Sequence, residues 1–236
     1  MCTKSGIGSK KIVPRFPNGY TVGREIAAEF MRVYSVDYAV IRNIPLLKTA
    51  IEPGDNMEKF ILYRGAVNEA RGLEHLIPAM KQVDANLWIF GDGNFIDQTK
   101  SLIKSNNLTN KVFLKGKLLP EALENITSRA YIGINLVEKI GLNQYYSLAN
   151  KFFDYIHHLV PQVTMDYPEY KTINDQYKVA MLLKNLYPLT IADSLNQLLN
   201  DKALYNSLRQ NCISARQDLN WQEEEKKLLA FYHELL

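Results

Sequence analysis

Phe60-Ile61-Leu62-Tyr63 opens a segment that runs through Leu73, Leu76, Ile77 and Met80, at helical spacing, to Leu87-Trp88-Ile89-Phe90-Gly91-Asp92-Gly93. Four apolar residues, then a 3.6-residue period, then four apolar residues again mark a strand–helix–strand unit. The alternation continues downstream. Helices are expected over Phe95–Ile103, Pro120–Ser128 and Leu148–His158. Strands are expected at Val112-Phe113-Leu114, Ile132 to Leu136, Pro161 to Thr164 and Val179 to Leu182. Two helices near 191–200 and 202–215 and an amphipathic helix from Trp221 close the chain. Such alternation predicts an α/β fold, a Rossmann-like parallel sheet with helices on both faces. In that fold ligands sit beyond the carboxyl ends of the strands. The loops of interest are therefore Arg64 to Arg71, Gly91 to Asn94, Lys115 to Leu118 and Val137 to Ser147.

Upstream the pattern is weaker. Met1 to Tyr20 has no period and reads as loop. Ile26, Ala27, Phe30, Met31 and Tyr34 mark a helix, and Tyr38-Ala39-Val40-Ile41 a short strand. Pro45 and Ile51 to Asn56 carry turn chemistry and read as a linker. A domain boundary is thus expected there, dividing residues 1–57 from a main domain over 58–236.

Composition narrows the class. The chain has 236 residues, 47% hydrophobic and 22% charged, with 28 basic against 25 acidic residues and a net charge of +3. That balance is too mild to argue for nucleic acid, and no basic stripe is visible. Cys2 and Cys212 lack metal-ligand spacing and read as reduced thiols. No signal peptide or membrane span is evident. A cytoplasmic location is expected, with peripheral contact at the inner membrane surface left open.

Three loops carry candidate chemistry. Arg71 sits at the mouth of a helix, where a guanidinium can grip two phosphate oxygens; a solvated Arg paired with Glu69 or Glu74 is the competing reading. Ser147 reads as an N-cap, which would leave the amides of Leu148, Ala149, Asn150 and Lys151 open to an anion. Lys151 adds charge, and Asp154 could accept two ribose hydroxyls. An ordinary capped amphipathic helix accounts for the same residues. Gly91-Asp92-Gly93 is a tight turn or a ligand approach. It is no dinucleotide fingerprint, because Ile96 stands where a third glycine is needed. His75, His157, His158 and His233 show no metal-ligand spacing, and no G-x-S-x-G elbow is present.

Together these pieces resemble the C-terminal, donor-binding half of a GT-B glycosyltransferase similar to family 4. Gly65 with Arg71-Gly72-Leu73-Glu74, then Gly91-Asp92-Gly93, then Lys115-Gly116 follow the family's order. Tyr145 to Tyr155 is similar to the tract "YYSLPNKLFEY" of one branch, differing at Ala149, Phe152 and Asp154. Arg42-Asn43-Ile44-Pro45 is similar to the family's "RNVP". The resemblance runs from about Lys59 to the end.

It implies a hexosyltransferase-like enzyme that binds a nucleotide diphosphate sugar and transfers the sugar with retention, in polysaccharide biosynthesis. Arg71 and Lys151 would neutralise the diphosphate, and Gly65 and Gly72 would let backbone approach it. Ser147, Leu148, Ala149 and Asn150 would meet the phosphate or sugar, Asp154 the ribose, and backbone at Lys117 and Leu118 the base. No metal and no other cofactor is implied.

The sequence departs from the family at Asp154 (commonly Glu), Ala149 (Pro or Gly), Tyr146 (often Glu) and Ala66 (usually Arg). Weaker donor binding or a different donor subset is the expectation. By the resemblance, residues 1–57 would be a remnant of the N-terminal acceptor domain plus linker, and the rest of that domain has no counterpart. The chain is therefore expected to be incomplete alone: a truncated product, an excised piece, or one subunit of a split enzyme that works with a separate acceptor-domain subunit or as a homo-oligomer. The upstream helix and strand, lacking a sheet to join, would be frayed or borrow a partner. A non-catalytic partner or regulatory module is the alternative, and a generic nucleotide-binding protein a third.

Overall fold

The computed structural model describes residues 6–48 and 59–236. The linker expected at Ile51 to Asn56 and the 57/58 domain boundary lie outside them.

Eight strands and eleven α-helices alternate among the described residues. The order is α1 (Gly6–Ile12), β1 (Tyr20–Thr21), α2 (Arg24–Tyr34), β2 (Ala39–Val40), β3 (Phe60–Arg64), α3 (Leu73–Ala79), β4 (Asn86–Phe90), α4 (Ile96–Ser105), β5 (Val112–Gly116), α5 (Pro120–Arg129) and β6 (Ile132–Asn135). Then follow α6 (Leu142–Tyr145), α7 (Asn150–His157), β7 (Gln162–Met165), α8 (Pro168–Tyr177), β8 (Ala180–Leu183), α9 (Pro188–Asn200), α10 (Lys202–Asp218) and α11 (Trp221–His233). Pro120, Pro168 and Pro188 each open a helix, where the missing N–H costs nothing. Asp201 and Asn220 cap α10 and α11 by accepting from Leu204 N and Glu223 N.

β3 to β8 form one parallel sheet in the order β5-β4-β3-β6-β7-β8. Alternate residues of β3 point to opposite faces. Ile61 and Tyr63 enter the larger core with α3, α4 and α9, whereas Phe60 and Leu62 enter a smaller one with Leu123, Ile126 and Tyr155. Burial on both faces is why these strands read as continuous apolar runs.

α8 has no counterpart in the sequence reading. Its buried face includes Glu169 beside Tyr170 and Ile173, which breaks the apolar stripe. A parallel β7–β8 pair nevertheless requires a crossover. Pro168 and the left-handed Lys178 mark its ends.

Of the two expectations for the upstream elements, fraying or a borrowed partner, the second holds. β2 is not frayed: Tyr20 and Thr21 pair with Ala39 and Val40 in a parallel two-stranded sheet. The segment also docks on the main domain. Glu169 Oε1 accepts from Glu25 N at 2.7 Å and caps α2 from 144 residues away. Glu224, 1% exposed, accepts from Arg42 N at 2.8 Å and faces the Arg42 guanidinium. Trp221 N donates to Pro45 O, Gln222 exchanges hydrogen bonds with Leu47, and Arg216 donates to Lys48 O. Met1 to Tyr20, read as loop, contains α1 and the start of β1.

Candidate functional site

Strand order reverses between β3 and β6, because β3 leads to β4 on one side and β6 to β7 on the other. A crevice opens at such a point. It is flanked by the β3–α3 segment, the β4 turn and the β6–α7 segment.

The β4 turn fixes the first segment. Gly65 N donates to Phe90 O, Val67 N to Asp92 O, and Phe95 N to Val67 O. Asn68 and Asn94 each accept from the other loop's backbone. Gly91 has φ +151°, and a Cβ there would lie 1.8 Å from Gly65 O. Gly91-Asp92-Gly93 is thus a close backbone approach, and Gly91 and Asp92 also line a cleft of about 340 Å³. Gly65, Ala66, Lys117 and Leu118 line the same cleft. Lys117 Nζ lies 3.2 Å from Asp92 Oδ2, so its charge is already answered.

Gly72 caps α3 at φ +76°, and a Cβ there would meet Leu136 Cβ at 2.7 Å. Ala70 O accepts from Glu138 N, which ties the two flanking segments together. His75 and Glu138 add a 3.3 Å contact across the same seam. Arg71 is exposed and forms no ion pair among the described residues. Glu74 instead accepts from Ala70 N. The competing reading of Arg71 as the partner of Glu69 or Glu74 is not realised.

α7 starts later than its sequence suggests. Ser147 is not its N-cap. Ala149 holds that place without a side-chain bond, and the helix begins at Asn150. The Tyr170 hydroxyl explains the shift: it accepts from Ala149 N at 3.0 Å and lies 3.4 Å from Ser147 Oγ. Of the four amides expected to be open, that of Ala149 is therefore occupied. Those of Leu148, Asn150 and Lys151 have no acceptor among the described residues.

The helix is held down by Tyr155. Its hydroxyl donates to the carbonyls of Leu62 and Ile134, and its ring lies where a Cβ on Gly133 would be, 2.5 Å away. One turn earlier on the same face, Lys151 Nζ sits 4.1 Å over the Tyr63 ring and beside Gly65. Burial pushes its pKa down to about 7, helped by the nearby cations Arg71 and Arg64 and opposed by Asp154. The Arg71 charge is therefore near enough to bear on Lys151. Asp154 lies next to Lys151, and Arg64 Nη2 reaches its Oδ2 at 3.2 Å. Burial raises the Asp154 pKa and Arg64 opposes the rise. The sequence reading gave Arg64 no role. Its place at a strand's carboxyl end was the only signal.

Gly65, Arg71 and Gly72 thus lie on the β3–α3 segment, Ser147 to Asp154 on the β6–α7 segment and α7, and Lys117 and Leu118 on the β5–α5 loop across the cleft from Gly65, with Ala149 and Ser147 turned toward Tyr170. Among the described residues no three His, Cys, Asp or Glu side chains come together as a metal site. No helix among them is long and apolar enough to cross a membrane.

A six-stranded parallel sheet with two-sided helical cover and charges gathered at the β3/β6 switch is the nucleotide-binding domain fold of GT-B glycosyltransferases. The chain belongs to the glycosyl transferases group 1 family, whose model matches residues 48–217.

Solved structures share the fold. TarM of S. aureus, crystallised with fondaparinux, alpha-GlcNAc-glycerol and UDP, is 18% identical with a TM-score of 0.75, over 95% of this chain and 46% of that one. HepE of Anabaena, in complex with UDP, is 13% identical with a TM-score of 0.78, over 98% of this chain and 69% of that one. Sucrose-phosphate synthase of Thermosynechococcus elongatus is 17% identical with a TM-score of 0.78, over 100% of this chain and 64% of that one. The chain thus spans less than half of TarM and about two thirds of the other two. No curated protein matches it in sequence.

Proposed function

We propose that the chain is the donor-binding half of a retaining glycosyltransferase, which takes a nucleotide diphosphate sugar and delivers it to an acceptor held by a companion domain. The carrying observation is that Lys151 stands beside Gly65, which lines the 340 Å³ cleft, at the start of a helix whose Asn150 and Lys151 amides, with that of Leu148, have no acceptor among the described residues, and that Arg71 is near enough to help depress the Lys151 pKa. An anion with two phosphates meets that chemistry. Helix-start amides favour the negative charge, a guanidinium takes paired oxygens, and an ammonium takes a third. The cleft beside them has room for a nucleoside, with backbone at Lys117 and Leu118 toward the base and Asp154 toward the ribose.

Breaking the glycosidic bond puts negative charge on the departing diphosphate. Arg71 and Lys151 stand where that charge grows, so they stabilise the transition state more than the ground state. We assign them the electrostatic role that a divalent ion fills elsewhere. Chelator should accordingly leave nucleotide binding unchanged.

Titration calorimetry with UDP, GDP, ADP and their sugars tests the reading. One of them should bind, and Arg71→Ala and Asp154→Ala should each weaken it. Silence toward every nucleotide would turn the assignment to a non-catalytic partner that keeps the fold. Equal affinity for a plain nucleotide and its sugar would leave only a generic nucleotide-binding protein. Transfer itself should require a companion acceptor domain, read as product formed only after that domain is supplied.

A further inference from the structure

We propose that Arg64 is a positioning residue of this donor site, fixing one carboxylate oxygen of Asp154 so that the other is presented to a ribose hydroxyl. The inference rests on the nucleotide reading above and adds a residue that no motif assigns.

Arg64 is the last residue of β3, at the switch point, yet its side chain does not run out to solvent: it is 14% exposed. It is anchored at both ends. Nη1 donates to Thr127 Oγ1 at 3.0 Å, and Nη2 meets Asp154 Oδ2 at 3.2 Å. Thr127 is fully buried, and its own proton is committed to Leu123 O at 2.6 Å. Its oxygen can therefore only accept, which leaves Arg64 as donor. A guanidinium is planar, so fixing one nitrogen on α5 fixes the direction of the other toward α7. Leu123, one turn before Thr127, lines the cleft. The Arg64 side chain thus runs from the α5 wall of the cleft to the acid on α7.

Asp154 is held by that contact alone. Its Oδ1 makes no hydrogen bond or ion pair among the described residues, and it is not one of the sealed, unpartnered atoms. The other charged groups near the carboxylate are Lys151 and Glu124. Lys151 lies over Tyr63, beyond ion-pair distance, and Glu124 repels. An aspartate has a short stem, so it cannot sweep to find a hydroxyl. Where Arg64 fixes Oδ2, Oδ1 is fixed too. A carboxylate with one oxygen tied and one open suits a neutral donor such as a sugar hydroxyl.

The test uses Arg64→Met, Arg64→Lys, Asp154→Asn and the Arg64→Met/Asp154→Asn double variant. Each is titrated with UDP, GDP, ADP and their 2′,3′-dideoxy counterparts. The readout is the ratio of ribo to dideoxy affinity within each protein, which a misfolded fraction does not change. The parent should prefer the ribo form by about tenfold, as for a hydrogen bond to a charged group. Arg64→Met and Asp154→Asn should each bring the ratio near one, and the double variant should lose nothing further. Arg64→Lys should keep part of the preference.

A parent ratio near one, or a full ratio in Arg64→Met, overturns the inference. So does a loss in Arg64→Met that is equal for both nucleotide forms, since Arg64 would then act on the phosphates directly. In each case the reading of a nucleotide diphosphate site stands, and a parent ratio near one removes from it only the ribose role of Asp154. If none of the three nucleotides binds the parent, that reading falls and this inference with it.

Discussion

Two charged regions of the molecule are built on opposite plans. At the junction of the upstream segment with α11, Glu224 is sealed and receives the Arg42 backbone, the Arg42 guanidinium and Lys227. At the β3/β6 crevice, Lys151 and Arg71 have no carboxylate within ion-pair distance among the described residues, and Asp154, the acid that bears on Lys151, is engaged by Arg64. Charge in the first region is consumed by architecture. In the second it is left over, which costs folding free energy unless a ligand brings the missing anion. The contrast is the one expected between a structural electrostatic cluster and the proposed binding site.

The junction should yield the largest stability effect. Glu224→Ala strands a half-buried guanidinium and should lower unfolding free energy by about 3–5 kcal/mol, read by urea denaturation. The nucleotide affinity of the folded fraction should not change. At the crevice the signs reverse. Lys151→Met should weaken nucleoside diphosphate binding by about ten- to a hundredfold, while the melting temperature holds or rises. A large loss of stability in Lys151→Met would erase the distinction between the two regions.

The pH dependence sharpens it further. The Lys151 pKa falls from an ordinary 10.5 to about 7 on folding. Between those values the unfolded chain holds the extra proton, so the stability contributed by this group rises with pH across that window. Diphosphate binding wants the protonated amine, so affinity should fall by up to about tenfold per pH unit above 7. Calorimetry in buffers of different ionisation enthalpy should show a proton taken up at pH 8. Stability and affinity moving in the same direction would remove Lys151 from the site. The smallest effect is expected at Arg71→Lys, which keeps charge but loses the paired grip, at about threefold in affinity.

The six strands of the main sheet were legible because burial on both faces leaves runs such as Phe60 to Tyr63 nearly free of polar residues. Arg71, Lys151 and Asp154 were legible as candidates because the strand–helix alternation places their loops at one rim. Several features were not. β1 has two residues, too few for any period. The Ser147 cap failed because the Tyr170 hydroxyl, from a helix whose apolar stripe is interrupted by Glu169, takes the neighbouring amide. The Arg64–Asp154 contact joins residues that only strand order brings together, and periodicity carries no information about order.

The parallel pairing of β3 with β6 also governs when the crevice can exist. Arg71 leaves the ribosome with the first half of the sheet, whereas Lys151 and its Tyr155 anchor come only after β6 has been made. Pairing strands so far apart in sequence closes a long loop and is intrinsically slow. Competence to hold a nucleotide should therefore be among the last properties acquired during refolding, lagging behind the β3–α3–β4 unit, which can collapse on its own local contacts.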